Sequence, residues 1–215
     1  MKSYPVTIID DFFENPDYIR DLGLSVDYPI QENKWPGRRS DNIQKLDCRL
    51  FDYFGSKLFT IFGTPPPMWN MQMNFQKISP YSNDKWDMRN RGWVHCDKSA
   101  IFGGVVYLNK NPDKDTGTSI YRQKKGISYT YQHETDMKCR LYGGEDVDTD
   151  DYTRVYEEYH DQYYETVKIE NVYNRVILFG ADVFHGVKTF GTEERLTISF
   201  FCLDAEPLTI PLLRN

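Results

Sequence analysis

The chain has 215 residues and a mass of 25.4 kDa, a size that suits one domain with a sizeable hydrophobic core. Hydrophobic residues make up 40% of the chain and aromatic residues 15%, which excludes a wholly disordered protein. The net charge is −6, from 32 acidic and 26 basic residues. A dedicated duplex-DNA binder carries a basic excess instead, so we expect no nucleic-acid partner.

Helices are predicted mainly in the first third of the chain. Residues 5–9 predict a short strand, and Asn15 followed by Pro16 is typical of a helix start. Residues 40–62 carry apolar side chains at every third or fourth position. This spacing predicts one long helix, with Ser40 as its N-cap.

Strands are predicted from residue 68 onward. β-like runs occupy four segments, residues 68–78, 101–109, 175–180 and 195–203. Helices followed by strands in this order predict a mainly β fold, a sandwich or barrel flanked by N-terminal helices.

Residues 133–170 interrupt the strands. They contain 12 acidic and 4 basic residues, a net charge of −8. Aromatic and aliphatic residues recur there at helical spacing, which predicts an insertion with one helix: Tyr152, Val155, Tyr156, Tyr159 and Tyr163. We expect His133 and His160 of this segment to be solvated. Its negative charge favours a basic peptide or amine as partner or substrate.

The four cysteines, Cys48, Cys96, Cys139 and Cys202, lie far apart and form no Cys-x-x-Cys pair. This spacing suits neither a zinc ribbon nor a disulfide scaffold, so we expect reduced thiols in a cytoplasmic protein. The sequence has no signal-peptide core and no run of about 18 apolar residues, so we expect no membrane partner.

A histidine and a carboxylate two positions apart form the first candidate site. If His95 and Asp97 lie on a strand, their side chains point the same way and can reach one metal ion. His185, which lies between two predicted strands, completes a facial triad that leaves three metal positions open. Such a site suits Fe(II), a chelating co-substrate and O₂. Zinc hydrolases also use two histidines and a carboxylate, so the triad alone leaves the metal open.

Arg195 begins a later predicted strand and shares a face with Thr197. A buried guanidinium needs an anionic partner, and a carboxylate bound by two hydrogen bonds is its best match. A ligand with a chelating 2-oxo acid at one end and a carboxylate at the other would fill both sites. The molecule 2-oxoglutarate has that shape.

The order of these residues resembles the Fe(II)- and 2-oxoglutarate-dependent dioxygenases, specifically the small bacterial and phage type of the prolyl-4-hydroxylase-like branch. Residues 105–109 resemble the YLN strand of that branch. Residues 116–121 resemble its GGxTxF segment, with Thr116 in place of the first glycine, and residues 6–22 resemble its usual opening. The resemblance covers most of the chain except residues 123–170.

The resemblance implies a double-stranded β-helix, a cupin-like jelly-roll core. It implies one oxygenase domain over residues 1–215, divided into a helical N-terminal support (1–67), the jelly-roll core (68–122 and 171–205) and the acidic insertion (123–170). It also implies an oxidoreductase, a hydroxylase that releases succinate and CO₂, with ascorbate as the reductant.

The implied site residues follow from the same resemblance. The Fe(II) ligands would be His95, Asp97 and His185. The C5 carboxylate of 2-oxoglutarate would be held by Arg195, helped by the hydroxyls of Thr197 and Tyr107.

The turn-rich loop of residues 79–93 precedes the first metal ligands. It is either a surface loop or a lid over the metal, and the lid would use its aromatic and basic residues to contact substrate. These substrate or lid candidates are Trp86, Arg89, Arg91 and Trp93.

Two other functions stay open on the sequence. One is a cupin-like jelly-roll enzyme that holds Zn or Mn, and the other is a non-catalytic β-sandwich binding protein with a vestigial metal site. For the oxygenase, the prime substrate stays open among an amino acid, a peptidyl residue and a small metabolite. The oligomeric state is open as well.

Overall fold

Two antiparallel sheets dominate the computed structural model. The structure describes residues 6–29, 35–63, 66–125 and 132–206, and for residues 132–135 it describes the backbone alone. Their strands are β1 (Val6–Ile9), β2 (Arg38–Asn42), β3 (Met68–Ile78), β4 (Phe102–Tyr107), β5 (Thr118–Gln123), β6 (Tyr163–Ile169), β7 (Val176–Gly180), β8 (His185–Val187) and β9 (Arg195–Glu206). The helices are α1 (Pro16–Ser25), α2 (Ile43–Leu46), α3 (Cys48–Thr60), α4 (Gln132–Tyr142) and α5 (Thr149–His160).

The larger sheet has the strand order β1-β7-β4-β9-β3-β2, and the smaller sheet has the order β6-β5-β8. Every strand pair in both sheets is antiparallel. The prediction of a mainly β fold with N-terminal helices is therefore confirmed.

Strand β9 shows how the larger sheet separates core from cavity. Leu196, Ile198 and Phe200 lie on one face, where they join the hydrophobic core formed with α1, α2 and α3. The residues between them face the smaller sheet, because side chains alternate along a strand. At Gly23 of α1, an added Cβ would lie 2.7 Å from the Phe75 ring, so α1 packs directly on this sheet.

The prediction of one helix over residues 40–62 is wrong. Residues up to Asn42 belong to β2, and the helical part is divided at Asp47, whose φ of −152° and ψ of 94° are extended. The Asp47 carboxylate accepts a hydrogen bond from the Leu50 backbone N–H at 3.0 Å and so caps α3. Ser40 is no helix cap, because its hydroxyl accepts a hydrogen bond from the Phe75 N–H of β3.

The prediction of one helix in residues 133–170 is also wrong, since the segment contains most of α4, all of α5, and β6. Gly144, with φ of +84°, ends the first helix, and the Asp148 carboxylate caps the second. Tyr163 lies in β6, which pairs with β5, so part of this segment belongs to the smaller sheet.

Helix α5 packs its aromatic side chains on the chain just before His95. The Trp93 ring makes edge-on contacts with Tyr152 and Tyr156, and its indole N–H donates to the Tyr152 hydroxyl at 2.8 Å. The Tyr159 hydroxyl donates to the Val94 carbonyl. These contacts fix the position of the segment that carries the first two candidate ligands.

The four cysteines, all within the described part of the chain, are free thiols. Among the helices of the described residues, none has the length and apolar character needed to cross a membrane.

Candidate metal centre and adjoining cavity

Main-chain pairing brings the predicted triad together. His95 and His185 are partners in an isolated antiparallel bridge, with reciprocal N–H···O hydrogen bonds of 2.9 and 2.8 Å. Two residues further along, the Asp97 N–H donates to the Ala181 carbonyl at 2.8 Å. The segment around His95 thus runs antiparallel to the segment around His185.

The three side chains offer donor atoms that all lie within 4.8 Å of one another. Asp97 Oδ2 lies 3.4 Å from His185 Nε2, and Asp97 Oδ1 lies 3.9 Å from His95 Nε2. Among the described residues, this is the one group of histidines, cysteines and acids that could hold a metal ion.

Both imidazoles have the tautomer that metal binding needs. The Nδ1 atoms of His95 and His185 lie 2.9 and 3.0 Å from the carbonyl oxygens of Trp93 and Val183. A carbonyl oxygen can only accept, so each Nδ1 carries the proton and each Nε2 keeps its lone pair. Burial lowers the pKa of both rings, that of His95 well below its usual value, so both are neutral at pH 7. Two neutral imidazoles and one carboxylate fit a divalent transition metal.

A cavity of about 350 Å³ adjoins the triad. Three neighbouring positions on the inner face of β9 line it, namely Arg195, Thr197 and Ser199. All three residues are buried, and each has a polar atom without a hydrogen-bond partner among the described residues: Arg195 Nη2, Thr197 Oγ1 and Ser199 Oγ. Buried polar atoms normally have partners, so this row is suited to a polar ligand.

The guanidinium of Arg195 gives the row its charge. Its Nε–H donates to the Thr116 carbonyl at 3.2 Å, and its Cζ lies 5.6 Å from the centre of the Tyr107 ring. No carboxylate of the described residues forms an ion pair with it. A buried cation with two hydroxyls beside it fits an organic carboxylate. Ser199 was missing from the sequence-based site, although its spacing from Arg195 places it on the same strand face.

The hydroxyl of Tyr107 has a hydrogen-bond partner at the cavity wall. It donates to Thr118 Oγ1 at 2.8 Å, and Thr118 lines the cavity whereas Tyr107 does not. Tyr107 thus lies beside Arg195, behind a residue of the cavity wall.

Of the four substrate or lid candidates, only Trp93 lines the cavity. Trp86 lies outside the cavity and is 46% exposed. Arg89 forms an ion pair with Asp87 through two hydrogen bonds. Arg91 contacts the sulfur of Met88 and the Tyr156 ring.

His160 is partly buried, whereas the sequence predicted a solvated side chain. Its ring stacks on Tyr156 with centroids 3.8 Å apart, and its Nε2 is buried without a partner among the described residues. Burial lowers its pKa to about 3. His133 belongs to α4, but its side chain lies outside the described residues.

Sequence reasoning also missed a basic and aromatic part of the cavity wall. Trp35, Arg39 and Lys138 line the cavity from the chain before β2, from β2 and from α4. Burial lowers the pKa of Arg39 to about 10, with Asp97 acting in the opposite direction, so the guanidinium is charged at pH 7. No local pattern could have revealed these residues, because their position depends on the pairing of β2 with β3 and on the packing of α4.

Solved structures share this fold at low sequence identity. A Pseudomonas putida prolyl-4-hydroxylase matches with a TM-score of 0.52 and 13% identity, covering 93% of this chain and 92% of that chain. A Trichoplax adhaerens prolyl hydroxylase, in complex with a hypoxia inducible factor peptide, matches with a TM-score of 0.54 and 13% identity, covering 94% and 84%. HygX from Streptomyces hygroscopicus, with nickel and 2-oxoglutarate bound, matches with a TM-score of 0.55 and 14% identity, covering 92% and 82%.

The fold is the jelly-roll of the 2-oxoglutarate–Fe(II) oxygenases, as the sequence resemblance predicted. The sequence matches a family of unknown function, DUF6445, over residues 1–197, and the protein belongs to that family. No curated protein matches the sequence.

Proposed function

We propose that this protein is an Fe(II)- and 2-oxoglutarate-dependent oxygenase that oxidises a small molecule or a peptide. One observation carries the proposal: a single cavity holds both the triad and a buried cation with two hydroxyls, none of which has an ion-pair or hydroxyl hydrogen-bond partner among the described residues. A metal site alone serves many reactions, whereas this pairing matches the two ends of one 2-oxo dicarboxylate. The oxygenase fold of the chain supports the same conclusion.

In this proposal His95, Asp97 and His185 hold the iron, and Arg195 binds the C5 carboxylate of 2-oxoglutarate. Bound together, iron and 2-oxoglutarate supply O₂-dependent oxidation of a substrate C–H bond, with succinate and CO₂ as co-products. The hydroxyls of Thr197 and Ser199 donate the further hydrogen bonds that a carboxylate accepts.

The chain's own contribution is positioning and the exclusion of water. The Trp93 and Val183 carbonyls orient the two imidazoles through their Nδ1 protons. Burial of Arg195 strengthens its attraction for a carboxylate, because the charge is poorly solvated by water. A cavity of about 350 Å³ is of the size that accepts a small ligand or one side chain of a peptide.

A cupin-like zinc or manganese enzyme would use the same three ligands. It would leave Arg195 and two hydroxyls buried without a function, and such groups cost stability. The oxygenase accounts for both halves of the cavity and is therefore the better proposal.

The test is anaerobic addition of Fe(II) and then 2-oxoglutarate to purified protein. We expect a weak visible charge-transfer band and, after O₂ is admitted, slow formation of succinate. Asp97→Ala should lose both signals because it removes a proposed ligand, whereas Asp182→Ala, at an exposed position nearby, should keep both.

Metal-loaded wild-type protein that neither binds 2-oxoglutarate nor forms succinate would overturn the proposal. Zinc retained through purification, together with no 2-oxoglutarate binding, would favour the cupin-like alternative instead.

A further inference from the structure

The cavity carries more positive charge than the proposed cofactors can balance. Three cationic side chains line it, Arg39, Lys138 and Arg195, whereas Asp97 is its one carboxylate among the described residues. Asp97 and the two carboxylates of 2-oxoglutarate offset the two charges of Fe(II) and the charge of Arg195. The charge of Arg39 stays in excess, and in a partly closed cavity such an excess attracts anions.

The guanidinium of Arg39 is held in a fixed orientation. Its Cζ lies 4.4 Å from the centre of the Trp35 ring and 5.4 Å from that of Phe201. Stacking against ring faces leaves the planar edge of a guanidinium available for hydrogen bonds, as two-point binding of a carboxylate or phosphate requires. Packing against two rings restricts the side chain, which favours ligand binding because less conformational entropy is lost.

Two buried donors at this place have no acceptor within the described part of the chain. They are Nε of Arg39 and the indole Nε1 of Trp35. No described carboxylate forms an ion pair with Arg39 either, and its nearest paired neighbour on β3 is Gln76, an uncharged residue that also lines the cavity. Unsatisfied donors beside an unpaired cation point to an anionic ligand.

We propose that the prime substrate carries an anionic group, a carboxylate or a phosphate, which Arg39 binds beside Trp35. This inference rests on the proposed function, because it assigns a substrate class to the same cavity. It differs from the basic substrate that the charge of residues 133–170 favours. That segment contributes Lys138 and Tyr142 to the cavity, whereas most of its described acidic residues are exposed.

The test uses simple probes on Mn(II)-loaded protein, with and without saturating 2-oxoglutarate. Inorganic phosphate, benzoate, benzamide and benzylamine are titrated by calorimetry against wild type, Arg39→Gln, Arg39→Lys and Arg38→Gln. The last variant is the matched control, because Arg38 neighbours Arg39 on β2 but is exposed and does not line the cavity.

We expect benzoate, phosphate or both to bind wild type more tightly than benzamide and benzylamine do. In Arg39→Gln the Kd of the anion should rise about tenfold or more, as loss of a charged hydrogen-bond partner implies. Arg39→Lys should lie in between, and Arg38→Gln should match wild type. Binding of benzoate alone would assign a carboxylate, and binding of phosphate alone would assign a phosphate.

Equal anion binding by wild type and Arg39→Gln would overturn the inference, as would tighter binding of benzylamine than of either anion. A loss of 2-oxoglutarate affinity in Arg39→Gln as large as the loss of anion affinity would also overturn it, since Arg39 would then serve the co-substrate. Failure of the proposed function gives a different result, namely no 2-oxoglutarate binding by wild type. The comparison of anion affinities made with Mn(II) alone still decides the role of Arg39.

Discussion

At the scale of single residues, Arg195 has the clearest conflict between stability and binding. Burial lowers the pKa of its guanidinium, and Nη2 has no acceptor in the described part of the chain. A desolvated charge of this kind costs stability in protein without ligand, and a bound carboxylate repays that cost. Residues that lower the stability of the free protein are common in binding sites, where the same residues are needed to bind a ligand.

Arg195→Met should separate the two effects. Methionine fills a similar apolar volume without the charge, so we expect a Tm without ligand that is equal to or above that of wild type. The Kd for 2-oxoglutarate should rise about 100-fold, while the Kd for Mn(II) stays unchanged. Calorimetric titration and thermal unfolding measure the three quantities.

A milder variant gives the graded control. Ser199→Ala removes one neutral hydrogen bond, so its Kd for 2-oxoglutarate should rise only about three- to tenfold. An unchanged 2-oxoglutarate Kd in Arg195→Met would remove Arg195 from the proposed site.

At the scale of elements, the spacing of residues within one element predicted part of the site. The residues that depend on pairing between distant segments could not be predicted. His95, Asp97 and His185 could be singled out because the chain has only four histidines and two of the three ligands lie two positions apart. The spacing of Arg195 and Thr197 likewise placed them on one strand face. Alternation and helical periodicity act within one element, so they predict such local relations well.

The contribution of β2 could not be predicted in this way. Its sequence, Arg38 to Asn42, is polar throughout and has no alternation of apolar residues. It forms a strand because it pairs with β3, and that pairing places Arg39 opposite Gln76 at the cavity wall. The packing of α4 and α5 on residues 92–94 also depends on contacts between segments distant in the sequence.

His160, at the end of α5, gives this element a dependence on pH. Its pKa falls from an ordinary value of about 6.5 in the unfolded chain to about 3 in the fold, because burial disfavours the imidazolium. Between these two values the unfolded state binds more protons, so the contribution of His160 to stability falls as the pH falls through this range. Arg91, the charged neighbour of the ring, acts in the same direction.

We therefore expect His160→Phe to lose less stability than wild type between pH 7 and pH 5. Phenylalanine keeps the stacking on Tyr156 and does not titrate, and the difference amounts to at most about 2 kcal/mol at pH 5. Urea unfolding at both pH values measures it. If both proteins lose the same free energy of unfolding, His160 is not buried as a neutral ring.

At the scale of the whole molecule, the net charge hides two opposite regions. Residues 133–170 carry a net charge of −8, so the other residues carry a net charge of +2. The cavity is lined by two cations from outside this segment, Arg39 and Arg195, and by one from within it, Lys138. The acidic side chains of α5 and its flanks face solvent, while its tyrosines pack inward on Trp93. The net charge of the segment therefore describes its outer surface, and the chemistry of the cavity depends on the few residues that reach it.

The cavity joins the two sheets, so ligands that fill it should stabilise the whole fold. At a concentration of 100 times its Kd, a ligand adds about 2.7 kcal/mol, which for a chain of this size raises Tm by about 5–10 °C. One 2-oxoglutarate molecule reaches both the metal and Arg195 in the proposed site. Mn(II) and 2-oxoglutarate together should therefore raise Tm by more than the sum of their separate effects, because each improves the binding of the other.

Glutarate is the matched control ligand, since it keeps both carboxylates and lacks the 2-oxo group that completes the chelate. Its effect on Tm should depend little on Mn(II), whereas that of 2-oxoglutarate should depend strongly on it. Differential scanning calorimetry with each ligand, with and without Mn(II), measures the four shifts. Equal dependence on Mn(II) for the two acids would mean that the triad and the Arg195 row do not share one ligand.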